Sequence, residues 1–266
     1  VSVLARQRQS MILEHLGRAG GVRVSDLVHI LGVSDMTVRR DLEVLEQRGL
    51  LDKVHGGATL RPDGSTDEPG FQAKSVRELV EKDAIGRRAV ELVEPGSAVA
   101  ITAGTTTYTF ARHLTQVPDI TVVTNSIPVA NLFFEADLGQ TVLLTGGLRT
   151  VSDALVGPVA VAALHDLHVD LLFMGVHGMD TAAGFTTPNL LEADTNRAMV
   201  AAAGRLVVVA DHTKWGIVGL SRIARLQDAS VLITDSGISP LASEALAERI
   251  GEVVIAPLGA ALRGTS

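Results

Sequence analysis

Apolar residues recur along this chain with two different periods. Over residues 1–60 the spacing is helical. Ile12, Leu13 and Leu16 share one side of a predicted helix from Arg6 to Arg18, which Gly17, Gly20 and Gly21 are placed to end. "GVRV" reads as a short alternating strand. Ser25 then stands as the cap of a second helix that turns Leu27, Val28 and Leu31 inward. After the turn "LGVS", Val38, Leu42 and Leu45 fall at i, i+4 and i+7 of a third helix, with Ser34 at its N-cap. The run "LLDKVHGGATL" alternates about Gly56-Gly57, the signal of a two-residue hairpin. Helix, strand, helix, turn, helix and hairpin in this order predict a winged helix-turn-helix over 1–60.

Residues 61–71, "RPDGSTDEPGF", concentrate Pro, Gly, Ser and acidic groups and read as a linker. From 72 to 266 the period changes. The runs "SAVAI", "ITVVT", "TVLLT", "DLLFMG", "RLVVVA", "SVLIT" and "EVVIA" alternate with helical patterns such as "VANLFFEA", "NLLEADTNRAMVAAAG" and "PLASEALAERIG". That alternation predicts an α/β domain, a parallel sheet covered by helices on both faces.

Composition narrows the function. No apolar run nears the roughly 18 residues of a membrane span, and the first residues lack the apolar stretch of a signal peptide, so no membrane partner is expected. The absence of cysteine removes disulfides, thiolate metal sites and cysteine nucleophiles, and fits a cytoplasmic protein. Aromatic residues make up 3% of the chain, too few for stacking platforms that hold single-stranded nucleic acid. The net charge of −7 argues against nucleic acid until the chain is divided. Residues 1–60 hold eight basic and seven acidic side chains, so the acidity lies in the remainder. The argument for DNA therefore rests on where the arginines sit.

Arg39 and Arg40 sit in the first turns of the third helix, with Arg40 opposite its apolar stripe. Laid in the major groove, this helix would turn Met36, Thr37 and Arg40 toward base edges and Arg39 toward a phosphate, with the Ser34 hydroxyl at its tip. Lys53 and His55 on the hairpin are candidate backbone contacts. The competing reading makes the two arginines a solvated face neutralised by Asp41 and Glu43.

In the larger domain, "AITAGTTTYTFARHL" places Gly104, Thr105, Thr106 and Thr107 between a strand and a helix. Such a junction collects free backbone N–H groups at the positive end of a helix and suits an anion such as phosphate. Further polar clusters follow other strands: Asn125 and Ser126, Gly146 and Gly147, His177, Gly178 and Asp180, then Asp211 and Lys214. Parallel sheets bind ligands at that edge. The loop lacks the lysine of a nucleotide P-loop and no GxGxxG follows a strand, which disfavours nucleotides. His165 and His168 have metal-binding spacing but no acidic or cysteine partner in sequence, so neither a metal nor a cofactor is expected. His212 reads as a solvated neighbour of Lys214, and Trp215 as packing at the lip of the site.

Arg8, Ile12 and Leu16, then Ser34, Thr37, Val38, Arg39, Arg40, Asp41 and Leu42, with the wing "GLLDKVHGGA", closely resemble the N-terminal signature of the DeoR-type bacterial transcriptional regulators. The resemblance continues through "AGTTT", "TNS", "TGG", "GVHGMD", the helix carrying Glu192, and "ADHTKWG". It implies a C-terminal domain similar in fold to ribose-5-phosphate isomerase and a phosphorylated sugar as effector. The threonine loop would hold the phosphate, with Glu192, Asp211 and Lys214 around the sugar. Many members carry aspartate where this chain has Thr102. The function implied is a repressor of carbohydrate-use genes that binds double-stranded operator DNA as a homo-oligomer, a dimer or tetramer, and has no catalytic residues. The alternative is a sugar-phosphate isomerase-like enzyme with Glu192 as base, Asp211 as its partner and Lys214 as electrophile.

Overall fold

The computed structural model describes residues 4–47, 50–59 and 70–258. Most of the expected linker, 61–71, lies outside the described residues. The chain forms two compact units that part between Leu79 and Val80.

The first unit contains α1 (Ala5–Ala19), β1 (Gly21–Arg23), α2 (Val24–Leu31), α3 (Asp35–Gln47), β2 (Asp52–Val54), β3 (Gly57–Thr59) and α4 (Phe71–Ser75). Its core joins Ile12, Leu13 and Leu16 of α1, Val24, Leu27 and Leu31 of α2, and Val38, Leu42 and Leu45 of α3. Each triplet is the apolar stripe of its helix. Ala73 and Val76 pack with the same core, so residues 72–79, assigned to the larger domain by pattern, cluster with this one.

Three local expectations change. α1 runs through Gly17 and ends at Gly20, whose left-handed backbone (φ 68°) lets its amide donate to Leu16. α2 begins at Val24 with Arg23 at its N-cap, and the Ser25 hydroxyl donates to Asp26 instead of capping. The hairpin turn is His55-Gly56, one residue earlier than the glycine pair suggested. Gly56 supplies the positive φ of the turn (78°). Gly57 serves the sheet: β3 lies between β1 and β2, and a Cβ at Gly57 would sit 2.1 Å from the Val22 carbonyl oxygen.

The second unit opens with α5 (Leu79–Val90), β4 (Ala98–Ile101), α6 (Thr105–Leu114), β5 (Thr121–Thr124), α7 (Ile127–Ala136) and β6 (Thr141–Leu144). A small hairpin, β7 (Leu148–Arg149) and β8 (Leu155–Val156), leads to α8 (Pro158–Leu164) and β9 (Val169–Met174). There follow β10 (Gly178–Asp180), β11 (Gly184–Thr187), α9 (Leu190–Ala202), β12 (Ala203–Val209), β13 (Ser221–Ala224), β14 (Val231–Asp235), α10 (Pro240–Ala247) and β15 (Glu252–Ala256).

The seven apolar runs become one parallel sheet in the order β15-β14-β12-β9-β4-β5-β6. Alternate residues of each strand serve opposite faces. Leu172, Met174, Leu206 and Val208 join a core with α8, α9 and α10, while Leu171, Phe173, Val207 and Val209 join another with α5, α6 and α7. Phe110 of α6 stacks on Phe173 at 4.0 Å. Burial of the inner strands on both faces explains why they read as nearly continuous apolar runs. Among the described residues no helix is long and apolar enough to cross a membrane.

The first unit also holds a polar lock. The Arg8 guanidinium donates to Asp41 through Nε at 2.5 Å and Nη2 at 3.2 Å, and Gln9 adds a third bond, so α1 and α3 are tied across their buried side. Asp41 holds the Arg8 pKa above its ordinary value, chiefly by hydrogen bonding. Removing one partner of an enclosed pair leaves the other charge uncompensated. Asp41→Ala is expected to destabilise this unit by about 3 kcal/mol, read as an early transition in urea unfolding. Replacing both partners with apolar residues of similar size recovers most of the loss.

Candidate nucleic-acid interface and effector site

The exposed side of α3 carries Met36, which is 81% exposed, with Arg39 and Arg40. Ser34 caps the helix: its Oγ accepts from the Thr37 amide at 3.3 Å and lies 2.9 Å from the Thr37 hydroxyl. Arg39 donates to Asp35 one turn back, Nε to Oδ1 at 2.5 Å. That bond holds the Asp35 carboxyl below the usual carboxylate range and raises the Arg39 guanidinium. Neither acid proposed to neutralise Arg40 is available. Asp41 is buried against Arg8, and Glu43 pairs with Lys53 Nζ at 3.1 Å. Among the described residues Arg40 makes no ion pair or hydrogen bond, so it is an exposed cation with no internal partner. Lys53 is engaged by Glu43. His55 is exposed at the hairpin tip.

In the large unit every predicted cluster follows a parallel strand or the helix beside it, so they gather at the carboxyl edge of the sheet. The strand order reverses between β4 and β9, which places the loops after these two strands at the switch point. Thr102 joins them: its buried hydroxyl accepts from the Gly175 amide at 3.0 Å, and its own amide donates to Phe173. Gly104 has φ 153°, open to glycine alone, and a Cβ there would stand 3.1 Å from Thr107 Oγ1.

α6 then begins. Its first intrahelical bond runs from the Tyr108 amide to Gly104, and among the described residues the amides of Thr105, Thr106 and Thr107 have no acceptor. The Thr107 hydroxyl is spent on the Gly104 carbonyl. Among the described residues the Thr105 and Thr106 hydroxyls have no donor or acceptor partner, and they are not sealed from solvent.

The remaining residues divide by what they touch. Asn125 accepts from Ala103 at 2.8 Å and donates to Leu155 at 3.2 Å, both inside the protein, so it braces the loop before α6. Ser126 caps α7 through the Val129 amide. Gly147 lies against Val156, and Gly178 against Ile217, where a Cβ would come within 2.1 Å of a carbonyl oxygen. Gly146 turns the chain after β6 with φ 73°. Asp180 accepts from the Ala182 and Ala183 amides at 2.8 and 2.9 Å, which closes the β10–β11 turn and lowers its pKa. His177 is buried, and its amide donates to Thr186.

Glu192, in the first turn of α9, accepts from the hydroxyls of Thr150 at 3.3 Å and Thr187 at 3.2 Å. Asp211 is buried and accepts from the Thr213 amide at 3.2 Å and from its hydroxyl, capping the 3-10 turn His212–Lys214. The loop past Lys214 is strapped down where the Gly216 amide donates to Met179. Trp215 is half-buried and packs against the core beside it. His212 is not a solvated neighbour: its ring and its amide both bond to the buried Asp235.

These bonds form a circuit. Thr102 links β4 to β9, the β10–β11 hairpin leads to Thr187 and Glu192, Thr150 returns to β8, and Asn125 closes on Ala103. Thr150, Thr187 and Asp235 carry no motif of their own and were missed in sequence.

A winged helix-turn-helix whose third helix exposes Arg40, followed by a parallel α/β unit with a built loop edge, is the architecture of a DNA-binding regulator with a sensor domain. Residues 8–62 match the DeoR-like helix-turn-helix domain and residues 77–236 the DeoR C-terminal sensor domain. The chain belongs to the DeoR family of transcriptional regulators. It is 38% identical to the regulator GlpR of Haloferax volcanii over 95% of this chain and 98% of that protein. It is 31% identical to GolR of Listeria innocua (88% and 91%) and 29% identical to the repressor CsqR of Escherichia coli (86% and 87%). Among solved structures, ribose 5-phosphate isomerase from Methanocaldococcus jannaschii matches 50% of this chain and 53% of its own, at 16% identity and a TM-score of 0.38. That likeness is too partial to bear on activity.

Asp180 supplies a test of the loop framework. Its folded pKa is depressed, so its contribution is complete above the ordinary carboxylate value near about 3.9 and is lost as pH falls through the lower folded value. Asp180→Asn is expected to cost about 1–2 kcal/mol at neutral pH and to flatten the acid limb of a Tm-against-pH profile.

Proposed function

We propose that this regulator represses carbohydrate-use genes by binding operator DNA as a homo-oligomer, and that a phosphorylated sugar at the carboxyl edge of the large sheet changes its affinity for that DNA. The observation that carries the sensor reading is the start of α6, where three amides without acceptors and two open hydroxyls meet the positive end of a ten-residue helix. Gly104, Thr105 and Thr106 hold the phosphate, and Glu192 and Lys214 lie toward the sugar. Asn125, Ser126 and Asp180 shape the loops and are left out of the contact set.

Arg40 is the base-reading residue on the DNA side, since its neighbouring acids are engaged elsewhere, and Arg39, already paired, serves the phosphate backbone. The edge strand β6 leaves Leu143 and Leu144 exposed, with Phe134 on α7 and Leu148 on β7 exposed on neighbouring elements, which supports association through the large unit. The cytoplasm is its place of action. The isomerase alternative is not favoured, because the relatives are named as regulators.

Arg40→Ala is expected to weaken binding to a selected operator duplex by about 5- to 150-fold while non-specific binding falls far less, measured by fluorescence anisotropy at fixed salt. Equal losses on both duplexes would make Arg40 a phosphate contact. Thr106→Ala combined with Lys214→Ala should leave operator affinity within about twofold and abolish the response to sugar phosphates in gel shifts. A full response in the double variant would move the effector elsewhere.

A further inference from the structure

We infer that His212 is a ligand-contacting residue of the sensor unit, that buried Asp235 positions it, and that it accepts a hydrogen bond from a sugar hydroxyl, not from the phosphate. The inference rests on the sugar-phosphate reading above and names which part of that ligand His212 meets.

The geometry is a built one. Asp235, at the end of β14, is fully enclosed and receives three donors. Its Oδ1 accepts from the His212 amide at 2.7 Å, and its Oδ2 lies 2.9 Å from His212 Nδ1 and accepts from the Gly237 amide at 2.8 Å. The loop after β14 closes round the ring so tightly that a Cβ on Gly237 would stand 2.5 Å from His212 Nδ1. Backbone and ring of His212 are thus fixed by one side chain 23 residues away.

The chemistry follows from the donor count. An ionised carboxylate only accepts, so the proton of the neutral imidazole resides on Nδ1 and Nε2 presents a lone pair. Among the described residues Nε2 has no hydrogen-bond partner, and it is not sealed from solvent, the side chain being 32% exposed. The neighbouring Asp211 is 1% exposed with Oδ1 engaged by Thr213, so the imidazole is the more exposed acceptor of this turn.

Position assigns the hydroxyl. His212 follows β12, which is separated from β4 by the single strand β9. Two strand spacings are roughly 10 Å, a span that a phosphorylated sugar bridges with its phosphate on the α6 amides. At that remove an acceptor meets the hydroxyl-bearing end. A lone-pair acceptor would repel a phosphate oxygen and welcome an O–H.

The test uses the full chain. A thermal-shift panel of pentose and hexose phosphates selects the strongest binder, which is titrated by calorimetry beside inorganic phosphate, the probe without a sugar. His212→Ala should weaken the sugar phosphate at least tenfold and leave inorganic phosphate within twofold. His212→Gln, which restores an acceptor near Nε2, should recover part of the loss. In imidazole ¹⁵N spectra, His212 of the wild-type protein should show the Nδ1–H form, and Asp235→Asn should shift it toward a mixture of tautomers with a parallel loss of sugar affinity.

Sugar-phosphate affinity unchanged in His212→Ala would overturn the inference while leaving the sensor reading intact, provided Thr106→Ala with Lys214→Ala still abolishes binding. Equal loss of both probes would make His212 a phosphate contact and overturn the hydroxyl assignment. If the wild-type chain binds no member of the panel, the sensor reading fails and this inference falls with it.

Discussion

The large unit depends on one topological constraint, the reversal of strand order between β4 and β9. The chain enters the sheet at β4, lays β5 and β6 to one side, then returns to add β9, β12, β14 and β15 on the other. The loops leaving β4 and β9 therefore diverge, one toward α6 and the other toward the β10–β11 hairpin. A crevice bounded by divergent loops is a consequence of chain path, whatever side chains occupy it. Thr102 makes the crevice rigid by joining both loops from within the sheet, through its amide to Phe173 and its hydroxyl to Gly175. A hydroxyl suffices for that bridge because it both fits a fully buried position and accepts a backbone N–H without bringing a charge.

The fold was largely legible because the signals that define it are local. Seven apolar runs gave seven strands, and three helical stripes gave the head with its capped reading helix. What escaped notice was held by contacts distant in sequence. The β10–β11–β13 sheet is short, and it survives because Gly178 and Gly219 let the chain after Lys214 lie against β10 and Thr187. No periodicity over three or four residues announces such a packing. In the head, the second glycine of "HGG" looked like turn chemistry and proved to be a close approach to Val22.

The candidate site divides along the same line. Polar residues after a strand all look alike in sequence, because ligand donors and loop braces use the same residue types. Asn125 and Asp180 were separated from Thr105 and Thr106 only by partners: the first two are satisfied by protein amides, the last two are not. The same distinction ranked the arginines. Asp41 and Glu43 were plausible neutralisers of Arg40 by spacing, yet each was claimed by a residue 33 or 10 positions away. The environment of His212 is set by Asp235, 23 residues away, which no local motif announces.

Regulation imposes a further requirement on these loops. A ligand shifts an equilibrium only by the difference in its affinity for the two states, and a hundredfold change in operator affinity takes about 2.8 kcal/mol. On the proposed reading, the phosphate meets backbone amides at the start of α6, a helix whose preceding loop is fixed by Asn125 and by the Thr102 bridge. A contact so rigidly held has nearly the same strength in every state of the protein and supplies affinity more than discrimination. The difference must come from groups whose positions depend on loop packing. Glu192 is such a group, because its bonds to Thr150 and Thr187 tie the β7–β8 turn and the end of β11 to α9. On that reading the phosphate end of the ligand anchors, while the sugar end has the leverage to select between states.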